Sequence, residues 1–253
     1  MRLLAEQWAA PHLVVSHSAA AWLWDIEVPR AFAEFTALRS RLSRKQPGVH
    51  CLSLSQEEVV LRRGLWCTGV DRTIGDLMRG AGQDEAVVAV ESALTWRRIR
   101  SYRRAPLTTL DNVTAEVRRP RIHGRRQALQ RLRLIDPQAA SPAETLARLR
   151  MHEAGLRPVS QAELVTHEGR KVRPDFLFTR EGVVVEIEGY VYHGSREAHR
   201  RDLARFNDLQ LCPEVRLVLR FTASEVMRSP ADMISRIRHA LAPRTWKSTS
   251  AHP

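Results

Sequence analysis

Cysteine is scarce in this chain of 253 residues, and its three cysteines, Cys51, Cys67 and Cys212, are scattered. An odd number without a Cys-x-x-Cys pair argues against a disulfide framework and against a zinc knuckle, and it predicts a reduced, cytoplasmic protein. Long apolar runs are lacking as well, far short of the roughly 20 residues that cross a bilayer. The opening Met1-Arg2-Leu3-Leu4-Ala5-Glu6 turns acidic before a signal-peptide core can form. No internal repeat is present. Acidic residues are outnumbered, 28 against 40 Lys and Arg, for a formal net charge of +12 and a pI near 10.9. That excess predicts a polyanionic partner. Nucleic acid is favoured over a membrane surface, because no basic helix carries a full apolar face. Hydrophobic residues make up 43% of the chain, enough to bury one large or two small cores.

The positive charge is unevenly placed. Between Arg97 and Arg133 stand twelve arginines against Asp111 and Glu116. This stretch reads as a surface for a DNA or RNA backbone, with Arg103, Arg104, Arg125 and Arg126 as candidate contacts; a solvated basic face is the plain alternative. It gives way to Asp136-Pro-Gln-Ala-Ala-Ser-Pro142, a proline-marked break. The expected domains are therefore a smaller α+β domain over 1–136, a second domain over 137–243 and a disordered tail over 244–253. Ahead of the break, strands are predicted at 12–16 and 49–54, and helices at 18–24, 71–79, 84–97 and 127–134. Beyond it, Ser141-Pro142-Ala143-Glu144 is a capping box with proline at the first helical position, opening a helix that stops at Gly155. Strands near 160–166, 172–178 and 183–188, a helix over 195–210, a buried strand over 215–221 and a helix over 231–242 complete an α-β-β-β-α-β-α order.

Three carboxylates stand out within this second part. Asp175 lies in Arg173-Pro-Asp-Phe176, and Glu186 and Glu188 in Val183-Val-Val-Glu-Ile-Glu-Gly189. Side chains two apart on a strand share a face, and a hairpin through 179–182 brings Asp175 beside Glu186 and Glu188. Like charges held together on an apolar sheet cost free energy unless a cation lies between them. Hard oxygen ligands suit Mg²⁺ or Mn²⁺. A charge-guarded strand edge is the plainer reading, weakened by the apolar character of 183–187. Four further candidates surround the cluster. His193 follows five residues after Glu188 and is placed to act as a general acid or to bind phosphate. Glu144 either caps its helix or projects towards the metal strands. On the long helix, Asp202 is a candidate to orient a catalytic group and Arg205 to contact phosphate. Arg220, near the end of an apolar strand, needs a carboxylate or a phosphate as partner.

Taken in order, Ser141-Pro-x-Glu144, Gly155-Leu-Arg-Pro158, Gln161, Val172-Arg-Pro-Asp-Phe176, Val185-Glu-x-Glu-Gly189, His193, Asp202-x-x-Arg205 and Leu217-Val-Leu-Arg-Phe221 resemble the very-short-patch-repair (Vsr)-like endonuclease domain of the PD-(D/E)XK superfamily. The resemblance covers about 140–230. It implies a restriction-endonuclease-like three-layer α/β/α fold binding Mg²⁺, with Asp175 and Glu186 as metal ligands and Glu144 as a helix-borne auxiliary acid. Ser16-His17-Ser18-Ala19-Ala20, Phe35-Thr36, Val49-His50 and Thr68-Gly-Val-Asp71-Arg72-Thr-Ile-x-Asp76-Leu77 more loosely resemble AbiEi-type abortive-infection antitoxins. Two departures matter. The superfamily lysine is absent, with Glu188 in its place, and the winged-helix segment usually found ahead of Ser-His-x-Ala-Ala has no counterpart, which predicts against sequence-specific operator binding.

The expected function is a metal-dependent DNA endonuclease or nickase acting in phage defence or repair, with Asp175, Glu186 and Glu188 as metal ligands and catalytic groups. The alternatives are an AbiEi-type antitoxin or regulator with a passive nuclease-like module, and a catalytically dead nucleic-acid-binding protein. DNA is the expected partner, with a toxin protein or a second copy of the chain beside it, and no membrane.

Overall fold

Short β-branched segments interleave with alanine-rich helices, and the resulting computed structural model is mixed α/β. It describes residues 2–37, 47–99, 101–120, 123–188 and 196–243, and the expected tail over 244–253 falls outside them. Two compact units make up the chain, Met1–Leu146 and Ala147–Pro253. No helix among the described residues is long and apolar enough to cross a membrane.

The first unit runs α1 (Arg2–Ala9), β1 (Leu13–Val15), α2 (His17–Leu23), β2 (Phe35–Ala37), β3 (Val49–His50), β4 (Val59–Arg62), β5 (Leu65–Thr68), α3 (Val70–Gly80), α4 (Gln83–Leu94), β6 (Arg97–Ile99), β7 (Tyr102–Arg104), α5 (Leu110–Arg118) and α6 (Arg125–Leu132). Its main sheet has the order β3-β2-β1-β5-β4 and mixes parallel and antiparallel pairs. Leu13, Val15, Ala19, Ala20, Leu23, Phe35 and Cys67 fill the core between this sheet and α2. A second core joins the apolar faces of α3, α4 and α5 through Ile74, Met78, Val90 and Val113. The expected helices over 71–79, 84–97 and 127–134 are present with shifted ends, and the expected strand over 49–54 shrinks to two residues. Strands β2 and β4 to β7 and helices α1 and α5 have no counterpart in the expected elements. They are short, and a strand of three or four residues carries too few positions for a period to show.

Helix α7 (Pro142–Glu153) leads from the first unit into the second. The unit boundary lies beyond the proline-marked break at 136, after Leu146. Glu91, fully buried on α4, is one anchor of this segment. Its carboxylate accepts from the Asp136 N–H at 2.7 Å and from Thr145 Oγ1 at 2.5 Å, which ties 136–145 to the first unit.

The second unit continues with β8 (Val159–Ser160), β9 (Leu164–Val165), β10 (Lys171–Val172), β11 (Phe176–Phe178), β12 (Val183–Glu188), α8 (Arg196–Gln210), β13 (Leu217–Thr222), α9 (Ala223–Arg228) and α10 (Pro230–Leu241). Its four-stranded sheet has the order β13-β12-β11-β8. The expected strands over 160–166 and 172–178 are each broken in two. Gln161 takes a left-handed backbone, φ 49°, and Pro174 has no N–H to donate to a ladder. Strand β12 is central, between antiparallel β11 and parallel β13. The strand over 215–221, expected to be buried, lies at the sheet edge as β13, where Phe221 alone is buried and Leu217, Arg220 and Thr222 are exposed. Leu177, Val184, Leu209 and Cys212 pack on the sheet face covered by α8.

Candidate active site

The hairpin between β11 and β12 is closed by residues 179–182 and pairs Phe176 with Val185. Gly182 closes it with φ 61°, and a Cβ there would meet the Glu214 carbonyl oxygen at 2.6 Å. One step outward, the hairpin sets Asp175 against Glu186. The Asp175 N–H donates to Glu186 Oε1 at 3.0 Å, and the Ile187 N–H donates to Asp175 Oδ2 at 2.7 Å. Both carboxylates are buried, at 7% and 8% exposure. By strand alternation they share the face of Leu177 and Val184, which α8 covers. Helix α8 accordingly supplies their ion-pair partner, Arg205. Its Nη2 lies 3.2 Å from Glu186 Oε1 and 3.8 Å from Asp175 Oδ1, and it also donates to the Arg173 carbonyl at 2.8 Å.

Burial, followed by the neighbouring Asp175 charge, raises Glu186 from 4.5 to about 7, and Arg205 offsets this only in part. Burial also raises Asp175, against hydrogen bonds from Ile187, Gln161 and Arg205. Two buried carboxylates this close resist ionising together. A proton or a bound cation relieves that repulsion, and the hard oxygen donors match Mg²⁺ or Mn²⁺. The residues present therefore fit a small divalent ion through two protein ligands.

Of the three expected metal carboxylates, the structure brings two together. Glu188 shares the face of Glu186 but is exposed, and its Oε1 is 2.8 Å from Arg220 Nε. Among the described residues, these three carboxylates do not converge on one ligand set. Arg220 thus has a carboxylate partner, and its guanidinium also lies over the Phe206 ring at 5.3 Å. Glu144 is taken up by the helix start: its N–H donates to Ser141 Oγ at 3.2 Å, Ser141 Oγ donates to its Oε1 at 2.8 Å and the Ala140 N–H to its Oε2 at 2.9 Å. It falls in the first unit, whereas Asp175 and Glu186 fall in the second. His193 and the side chain of Asp202 lie outside the described residues. Gln161 was not a candidate site residue, yet its Nε2 donates to Asp175 Oδ1 at 3.3 Å and its N–H to the Asp175 carbonyl at 3.0 Å. Only its place in the ordered motif series marked it.

The arginine-rich stretch divides into two groups. Arg98, Arg103, Arg118, Arg119, Arg125, Arg126 and Arg133 are exposed, with Arg103 lying 4.6 Å over the Trp96 ring and Arg119 paired with Glu58 and Glu116. Arg104 corrects the expectation: it is buried, and it donates to the carbonyls of Ser92, Asp25 and Ala105. A guanidinium so engaged does not face a phosphate. Arg97 and Arg131 are buried likewise. Arg131 donates to the carbonyls of Met78 and Ala81 at the end of α3, where a cation complements the helix dipole.

The fold and this pair define an α/β protein with a buried dicarboxylate on a central hairpin. Comparison with protein-family models, with curated proteins and with solved structures finds no match for this chain.

Proposed function

We propose that the second unit is a Vsr-like endonuclease module of the PD-(D/E)XK kind, which hydrolyses phosphodiester bonds in DNA with Mg²⁺ or Mn²⁺ held by Asp175 and Glu186. The observation that carries this reading is the pair itself: two buried, opposed carboxylates whose charge repulsion a divalent ion would relieve. A divalent ion bound there supplies an acidified water and neutralises charge on the phosphoryl oxygens. The remaining tasks fall to the chain. Gln161 and the Ile187 N–H fix the orientation of Asp175. Arg205 is placed to turn from Glu186 to a phosphate oxygen once a cation takes its position. The exposed arginines of the first unit contribute sequence-independent affinity for the phosphate backbone.

A second reading is an AbiEi-type antitoxin or regulator whose nuclease-like unit binds DNA without cutting it. The contact of Arg205 with Glu186 favours it, because that guanidinium already supplies positive charge to the pair. Glu188 favours it too, since it stands in the lysine position and is tied to Arg220. Cleavage of plasmid and oligonucleotide DNA in Mg²⁺, Mn²⁺ or EDTA separates the two. The nuclease reading expects metal-dependent cutting that Asp175→Asn or Glu186→Gln abolishes while DNA binding persists. Binding without cutting in every metal supports the second reading.

A further inference from the structure

The first unit contains a cavity of about 880 Å³ with His17, Glu34 and His50 in its wall. Three separate sequence pieces supply them: His17 at the start of α2, Glu34 just ahead of β2 and His50 on β3. Candidate ligand atoms of His17, Glu34 and His50 all lie within 4.8 Å of one another. The two imidazoles stack with centroids 3.7 Å apart and planes 19° apart. His50 Nε2 is 3.2 Å from Glu34 Oε1, close to the edge of about 3.4 Å that a tetrahedron has when its metal–ligand bonds are near 2.05 Å.

The surroundings hold each of these groups in place. Thr36 Oγ1 donates to Ser16 Oγ at 2.9 Å, and Ser16 Oγ is 2.9 Å from His17 Nδ1. That leaves Nε2 as the ring nitrogen for a ligand, the arrangement in which an outer partner orients a metal-binding histidine. The N–H and the hydroxyl of Ser18 both engage Glu34 Oε2, so Oε1 is left to His50 or to an ion. His17 has φ 51°, a left-handed backbone that costs free energy in a residue other than glycine and tends to occur at functional sites.

The cavity's arginines are matched to other acids. Arg72 binds Asp76 and Glu58, Arg79 binds Asp76 and Glu116, and Arg119 binds Glu58 and Glu116. Three cations thus meet three anions, none of them Glu34. We infer that His17, Glu34 and His50 bind one divalent transition-metal ion of the zinc class, with a coordination position open to the cavity. Two imidazoles and one carboxylate form a borderline donor set that suits Zn²⁺ or Co²⁺ better than Mg²⁺. Binding would draw the three ligand atoms together, turning His50 Nε2 from Glu34 to the ion while Ser18 keeps its hold on Glu34.

The test is Co²⁺ titration of the full chain carrying Asp175→Asn and Glu186→Gln, which removes the carboxylate pair of the second unit as a competitor. One equivalent should bind with visible absorption distinct from aqueous Co²⁺, and Zn²⁺ should displace it. His17→Gln, Glu34→Gln and His50→Gln, each added singly, should abolish that signal. Ser16→Ala should keep the site but weaken it about 10- to 100-fold, as loss of an outer-shell partner does. Circular dichroism in EDTA checks folding, and the partly exposed His50 and Glu34 are the variants least able to disturb it. An aqueous Co²⁺ spectrum in the folded parent overturns the inference whatever the variants do. So does binding that survives both His50→Gln and Glu34→Gln. Neither result touches the nuclease reading, whose readout is cleavage through the other unit.

Discussion

Glu186→Gln tests the electrostatics of the carboxylate pair without reference to cleavage. The folded protein raises Glu186 from 4.5 to about 7, through burial and the charge of Asp175. A group raised in this way contributes stability while it is protonated, below its unfolded pKa, and loses that contribution as the pH rises through the folded value. At about 1.4 kcal/mol per pKa unit, the difference is about 3 kcal/mol between pH 4.5 and pH 8. Without metal, the second unit should therefore weaken across that window. A neutral isostere removes the ionisation, so Glu186→Gln should flatten the profile and leave the metal-free unit more stable at pH 8, by up to about 3 kcal/mol. Mg²⁺ or Mn²⁺ should stabilise the parent at pH 8 and have little effect on the variant. Urea unfolding at pH 5 and pH 8, read by pulsed hydrogen exchange of peptides spanning β11 and β12, follows this unit alone. Identical midpoints for the parent at both pH values, with or without metal, would refute the reasoning that the pair is strained by its own charge.

Arg125→Ala combined with Arg126→Ala should reduce the log–log salt slope of DNA binding by about 1.8, at about 0.9 for each phosphate left without its arginine. By contrast, Arg104→Ala should leave the slope alone and destabilise the first unit by about 2–4 kcal/mol, because buried carbonyls lose their donor; salt titrations and thermal melts distinguish the two. Gly182→Ala should cost at least about 1–2 kcal/mol from the left-handed backbone, with the clash at the Glu214 carbonyl adding to it, and calorimetric Mn²⁺ titration should show weaker binding as Asp175 and Glu186 shift apart. Thr145→Val removes a donor from buried Glu91 and should lower stability by about 1–3 kcal/mol, read as a drop in the melting temperature of the first unit.

Periodicity and local chemistry alone marked out several parts of this protein. The run 183–187 is apolar except for Glu186 and follows a turn glycine, so it reads as a central strand, and β12 is one. Gly182 reads as the end of a tight turn, and the hairpin through 179–182 follows, which sets Asp175 opposite Glu186. Ser141, Pro142 and Glu144 announce a helix start through contacts between near neighbours in the chain, and local contacts are the ones a linear pattern preserves. The net charge of +12 needs no structure to be read.

The partners of individual side chains were decided by tertiary structure. Arg103 and Arg104 are adjacent and chemically identical, yet strand alternation leaves one exposed over Trp96 and sends the other among the carbonyls of Asp25 and Ser92. The exposure of Glu188 and its pairing with Arg220 follow from β13 lying parallel to β12 at the sheet edge, although the whole of α8 separates the two strands in the chain. The meeting of His17, Glu34 and His50 depends in the same way on β2 lying beside both β1 and β3. Composition and short-range pattern dictate which segments become strands and helices, because those preferences act between near neighbours. Which charges meet, and which are buried, depends on strand order and register, where a shift of one residue turns every side chain to the other face.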